Sequence, residues 1–88
     1  MKLNPNYTIR EIAGEKVIIP LGKETKKFNG LITANSVAIT ILENINKLET
    51  EDEIVRYIID LYDVSEEEAI IDVKGFIKEL INFGIIIK

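Results

Sequence analysis

The stretch TEDEIVRYIIDLYDVSEEEAIIDVKGFIKELINFG, residues 50–84, decides the fold of this chain. Thr50 and Ser65 each open a capping box, in which a hydroxyl residue is followed three positions later by glutamate. Apolar residues then recur at three- and four-residue steps, which predicts amphipathic helices running to about Tyr62 and to about Phe83. Because only a few residues separate them, the two helices are expected to form a tight helix-turn-helix pair.

Upstream of this pair the sequence predicts one more helix and three strands. After Asn35 and Ser36, a helical period is carried by Ala38, Ile41, Leu42, Ile45 and Leu48. Before it, β-branched runs on either side of a glycine-containing turn predict a hairpin of Tyr7–Ile12 and Lys16–Pro20. A short third strand is expected at Gly30–Ala34, and Ile85–Ile87 are expected to form an extended tail.

The predicted fold class is α+β. With 88 residues, the chain is expected to form a single domain over residues 1–88. The order of elements predicts a winged helix-turn-helix: a three-stranded antiparallel sheet followed by three α-helices.

Composition argues against catalysis. The chain has no cysteine and no histidine, so thiolate nucleophiles, imidazole bases and the usual zinc ligands are lacking. Ser36 and Ser65 each precede a helix, where a hydroxyl caps a backbone N–H. We therefore expect a non-enzyme with no catalytic residues, no metal site and no cofactor. No apolar run is longer than three residues, the length of Ile85–Ile87, whereas a membrane span needs ~20. We therefore expect a soluble, cytoplasmic protein with no membrane partner.

The order and spacing of many residues resemble the PqqD-like proteins, also called RiPP recognition elements, where RiPP denotes a ribosomally made and post-translationally modified peptide. The residues that carry the resemblance are Leu3–Pro5, Leu31–Asn35, Ala38, Ile41, Thr50–Val55, Tyr62, Asp63, Glu68, Asp72, Val73, Phe76, Ile77, Leu80 and Gly84–Ile86. The chain departs from the family at Asn46-Lys47, where glycine is usual after the first helix.

The resemblance implies a stand-alone, non-catalytic module that binds the leader segment of a precursor peptide by strand addition. It would present this leader to a modifying enzyme such as a radical-SAM maturase. The groove would lie between the third strand and the third helix.

Strand and helix periodicity suggest which residues could form this groove. In a three-stranded meander the third strand is an edge, so Gly30, Leu31, Ile32 and Thr33 could pair with a peptide. On the third helix Ala69, Val73, Phe76 and Leu80 are interpreted as core. One margin of the wide apolar arc, formed by Ile70, Lys74, Ile77 and Ile81, is the predicted apolar wall. The alternative for this margin is packing under the sheet or a homodimer seam.

DNA binding and metal-dependent catalysis fit the sequence less well. A winged helix-turn-helix could bind DNA, but residues 48–88 hold four Lys/Arg against eleven Asp/Glu, and the third helix begins Glu66-Glu67-Glu68. Phosphate contacts need basic residues, so no nucleic-acid partner is expected. Those glutamates could suggest a site for a hard cation, but consecutive helical residues point about 100° apart and cannot converge on one ion.

Overall fold

The computed structural model describes residues 1–26 and 30–88, and within them the chain is an α+β protein with three α-helices. In chain order its elements are β1 (Lys2–Leu3), β2 (Tyr7–Ile12), β3 (Glu15–Pro20), a 3₁₀ turn (Gly22–Lys26), α1 (Ser36–Asn44), α2 (Glu51–Leu61), α3 (Glu66–Asn82) and β4 (Ile86–Ile87). The predicted hairpin and the three predicted helices are confirmed.

The predicted three-stranded sheet is not confirmed by the described residues. The described residues form two separate two-stranded antiparallel sheets, β2 with β3 and β1 with β4. The expected third strand, Gly30–Ala34, contributes only one antiparallel residue pair, Ile32 with Ile18. This pair makes both of its backbone hydrogen bonds, at N···O distances of 2.8 and 2.9 Å. The wing expected of a winged helix is therefore incomplete at its outer strand.

The local sequence explains why the pairing stops after one step. The register around Ile18 and Ile32 places Pro20 opposite Gly30, and proline has no N–H to donate. Gly30 also has a φ of +104°, which lies outside the strand region. On the other side of Ile32 the chain must leave the sheet, because Asn35 already caps α1.

Helix caps set the start and end of α3. The Ser65 hydroxyl accepts a hydrogen bond from the Glu68 N–H at 3.2 Å, as the capping box predicts. At the other end Gly84 has a φ of +79°, and the backbone N–H of Ile85 returns to the Leu80 carbonyl at 2.9 Å. These are the bonds of a glycine-terminated helix. For α1 the expectation was wrong, since the side chain of Asn35 rather than Ser36 accepts the Ala38 N–H.

The two ends of the chain meet beside α3. β1 pairs with β4, and the Asn4 backbone N–H donates to the Ile85 carbonyl at 2.8 Å. The Asn4 side-chain amide also donates to the Gly84 carbonyl at 2.9 Å. The pairing partner of the C-terminal tail was not foreseen in the sequence. It fixes the backbone directly after Phe83, the C-cap residue of α3.

The core is rich in isoleucine and lies between the hairpin and the three helices. α3 contributes Ala69, Val73, Ile77 and Leu80 to it, each 7% exposed or less. Ala69, Val73 and Leu80 were predicted as core residues and are confirmed. Phe76, also predicted as core, is only half-buried and packs at its margin.

Candidate functional site

The Gly30–Thr33 segment lies at the outer edge of the β2–β3 hairpin. Because Ile32 uses both backbone groups to bond Ile18, alternation along an extended chain directs those of Leu31 and Thr33 away from β3. Among the described residues no strand pairs with that outer side. The segment therefore presents a short open edge, as predicted.

A cleft of about 370 Å³ lies beside this edge, between the Ile32–Asn35 segment and the C-terminal half of α3. We call it the strand–helix cleft. It is lined by Ile18, Ile32, Thr33, Ala34, Asn35, Ala38, Phe76, Glu79, Leu80, Phe83 and Ile85. Apolar side chains dominate these described lining residues, and Glu79 is the single ionisable one among them. Ligand sites in proteins commonly combine apolar walls with a small number of polar groups.

Helix period explains why α3 presents these residues together. Phe76, Glu79 and Phe83 are separated by three and four positions, so they stack along one side of the helix. Leu80 lies next to them and closes the bottom of the cleft, since it is 7% exposed. Phe83 is the C-cap of α3 and is 43% exposed at the end of the same row.

The predicted helix margin does not line this cleft. Ile70 lies in a separate cleft of about 450 Å³ between α2 and α3, lined by Asp52, Val55, Arg56, Ile59, Asp60, Glu66 and Ile70. Ile77 is a core residue, 2% exposed. Lys74 is exposed and Ile81 is half-buried against the core. The structure thus brings Ile32 and Thr33 together with the opposite margin of α3.

A third cleft, of about 550 Å³, lies on the other side of Thr33 and Ala34, between the hairpin tip and α1. Its charged residues are Glu11, Glu15, Lys16 and Glu43. Lys16 Nζ donates to Glu43 Oε2 at 2.8 Å, and this hydrogen bond raises the pKa of the lysine. An exposed pair of this kind contributes little to stability. It does neutralise the only cation of this cleft.

Clusters of metal ligands and membrane-spanning helices are two further features on which a function could depend. In residues 1–26 and 30–88 no group of three His, Cys, Asp or Glu side chains could hold a metal ion. Over the same residues, no helix has the length and hydrophobicity needed to cross a bilayer.

One local feature of the sequence, around Glu79, coincides with this cleft. Glu79 has Gly75, Phe76, Asn82 and Phe83 as its neighbours three and four positions away, so no basic residue can pair with it along the helix. Glu79 is thus an exposed carboxylate between two phenylalanines, with no basic residue three or four positions away, although Lys78 precedes it directly in the sequence. The predicted margin was chosen on hydrophobicity alone.

The family model described as coenzyme PQQ synthesis protein D (PqqD) matches residues 15–86. No curated protein and no solved structure matches the chain. Proteins of the matched family are non-catalytic accessory components in the biosynthesis of PQQ and other ribosomally made, modified peptides. The matched region includes the hairpin from β3 onward, the whole strand–helix cleft and all three helices, and the chain therefore belongs to the PqqD family.

Proposed function

We propose that this chain binds the leader segment of a precursor peptide as an added strand and presents it to a modifying enzyme, such as a radical-SAM maturase. The observation that carries the proposal is the open edge at Leu31 and Thr33, placed directly beside the strand–helix cleft. Membership of the PqqD family supports the same role.

The incomplete third strand suits strand addition. An edge is a template for another chain because its N–H and C=O groups are unpaired. The Gly30–Ala34 segment is held to the hairpin by a single residue pair. A peptide bonding to Leu31 and Thr33 would hold this segment from its other side and so extend it as a strand. The winged sheet expected from the sequence would then be completed in the bound state.

The cleft would provide selectivity. Main-chain hydrogen bonds in strand addition give affinity for any extended peptide, and pockets for alternate side chains distinguish one sequence from another. The strand–helix cleft, at about 370 Å³, is at the small end of the ~300–1,000 Å³ range of ligand pockets. We therefore assign the peptide site to Gly30, Leu31, Ile32 and Thr33 on the edge, with Phe76, Glu79 and Phe83 on the helix.

The margin Ile70, Lys74, Ile77 and Ile81 is the competing assignment for the helix side. Of these four, Ile70 has a cleft of its own, which faces α2 and has acidic residues in its lining. A peptide bound there would lie away from the Leu31–Thr33 edge, so it could not use the open backbone groups.

DNA binding is not favoured by any feature of the described surface. The first turn of α3 carries the exposed Glu66, Glu67 and Glu68, which would meet phosphate at the groove. The same three residues are accounted for by the positive end of the helix dipole.

Titration of the full chain with fluorescein-labelled leader peptides encoded beside its gene, followed by anisotropy, tests the proposal. We expect saturable binding to one of them. In a parallel nitrogen-15 NMR titration the amides of residues 31–34 should shift, whereas those near Ile70 should not. An absence of saturable binding to every such peptide, alone and with the neighbouring maturase, would contradict the proposed function.

A further inference from the structure

We infer that the strand–helix cleft selects peptides in which a basic side chain and an apolar side chain stand two residues apart, with Glu79 binding the basic group. This inference rests on the proposed function and adds the chemical class of peptide that the site accepts.

Among the described residues that line the strand–helix cleft, Glu79 is the only charged one. Its neighbours in the lining are aliphatic or aromatic, apart from the uncharged Thr33 and Asn35. In the unbound chain Glu79 is exposed, so water solvates its carboxylate. A peptide lying across the cleft would remove part of that water. A covered carboxylate without a cation is costly, whereas a cation from the peptide would offset that cost.

Among residues 1–26 and 30–88, none pairs a cation with Glu79. Across residues 1–26 and 30–88 the one ion pair within 4.0 Å is Lys16 with Glu43, on the other side of the Thr33 edge. The positions three and four residues from Glu79 are glycine, asparagine and two phenylalanines. Glu79 is therefore available to an external partner.

The helix dipole favours the same ligand. Glu79 lies three residues before the end of α3, and the last turn of this helix contains no basic residue. Unpaired carbonyl groups give the C-terminus of a helix a partial negative charge, which stabilises nearby cations. A lysine or arginine of the peptide would be attracted by both the carboxylate and the helix end, while an acidic side chain would be repelled by both.

Spacing connects the basic residue to an apolar one. In an extended peptide, residues two apart point to the same face and lie about 6.6 Å apart along the strand. Phe76 and Phe83 stand three and four positions from Glu79, which places their Cβ atoms about 5–6 Å from that of Glu79. One peptide side chain could thus reach the carboxylate while its neighbour two positions away contacts a phenylalanine.

The cleft on the other side of the edge reinforces this preference. It shares Thr33 and Ala34 with the strand–helix cleft and carries Glu11 and Glu15. Its single cation, Lys16, is paired with Glu43. Neither side of the edge, in the described residues that line the two clefts, offers an unpaired cation to an acidic peptide.

Selection from a displayed library of random 12-residue peptides tests the inference. The targets are the full-length chain and its variants Glu79→Gln, Glu79→Lys and Glu67→Gln. The last makes the same charge change on the same helix but outside the cleft. We expect wild-type selections to enrich Lys or Arg two positions from an apolar residue, Glu79→Gln to lose that enrichment, and Glu79→Lys to enrich Asp or Glu instead. Glu67→Gln should select as wild type does.

Affinity measurement gives the magnitude. With the wild-type consensus peptide labelled with fluorescein, Glu79→Gln should raise Kd about fivefold, the size expected for an ion pair at a partly exposed site. If apolar residues are enriched without any basic preference, or if Glu79→Gln selects as wild type does, the inference is overturned while the proposed function stands. If wild type enriches no peptide, the proposed function itself fails. Glu79→Gln is nearly isosteric, so it decides the question even if Glu79→Lys destabilises the fold.

Discussion

The two margins of α3 are both apolar, yet they lie against different parts of the molecule. On one, Phe76 and Phe83 face the open edge at Thr33 across a cleft with one unpaired carboxylate. On the other, Ile70 meets α2 in a cleft that also holds Asp52, Arg56, Asp60 and Glu66, and Ile77 is enclosed in the core. Hydrophobicity along a helix therefore locates a buried arc but does not tell which end of that arc borders a binding site. The element that lies opposite each end of the arc, the Thr33 edge or α2, makes that difference.

The largest effect should come from charging the enclosed residue. Ile77→Asp places a carboxylate where the side chain is 2% exposed and removes a packed isoleucine, so we expect a loss of about 4 kcal/mol or more in the free energy of unfolding. Circular dichroism during heating should show a domain that is largely unfolded at ambient temperature. Lys74→Asp, on the exposed side of the same helix, should change stability by only about 0.5 kcal/mol. A well-folded Ile77→Asp variant would place Ile77 at the surface, as the sequence alone suggested.

The next effect tests the edge rather than the helix. Thr33→Pro removes an N–H from the outer side of the Gly30–Ala34 segment, and its ring obstructs an incoming strand. Ile32 should keep its pair with Ile18, because a residue before proline favours the extended conformation. We expect leader-peptide affinity, measured by anisotropy, to fall at least about tenfold, equivalent to about 1.4 kcal/mol.

Thr33→Val is the matched control for that variant. It keeps the backbone N–H and a similar side-chain shape, so it should bind the peptide nearly as wild type does. Equal affinities for Thr33→Pro and Thr33→Val would show that the peptide does not pair with this edge.

A smaller effect compares the two margins directly. Phe83→Ala should weaken peptide binding about fivefold, because it removes part of the apolar wall of the strand–helix cleft. Ile70→Ala, which opens the cleft toward α2, should change Kd by less than about twofold. The reverse order, measured with one labelled peptide at one temperature, would assign the peptide to the Ile70 margin.

These contrasts show what could be read from the sequence and what could not. The helices were predictable because their caps are local: Thr50 and Ser65 bond the N–H three residues on, and Gly84 takes the positive φ that ends α3. The hairpin was predictable from its alternating β-branched residues. The sequence predicted that the Gly30–Ala34 segment pairs with the hairpin, but not that the pairing is limited to Ile32 with Ile18. The extent of pairing depends on the partner strand, in which Pro20 stands opposite Gly30.

For the proposed site, the sequence indicated the edge but not the margin of α3, for a related reason. The edge at Leu31–Thr33 follows from strand order, which is a property of the chain. Which margin of α3 faces that edge depends on the rotation of the helix about its own axis, and an apolar arc as wide as this one does not fix that rotation. The pairing of β1 with β4, which holds the backbone after Phe83 in place, joins the two ends of the chain and has no local signal.

The smallest effect on peptide binding is expected on the surface of α3 between the two margins. Gly75 lies in the interior of α3 with no positive φ, and an added Cβ there would meet nothing within 4 Å. Gly75→Ala should therefore raise the free energy of unfolding by about 1 kcal/mol, the helix-propensity difference between the two residues. The same substitution at Gly84, where φ is +79°, should lower it by about the same amount or more. Chemical denaturation of the two variants measures both changes in the free energy of unfolding.

Gly75 lines neither the strand–helix cleft nor the cleft facing α2, so Gly75→Ala should bind the leader peptide with unchanged affinity. A loss of binding would mean that the peptide crosses the outer face of α3, and it would move the site away from both margins.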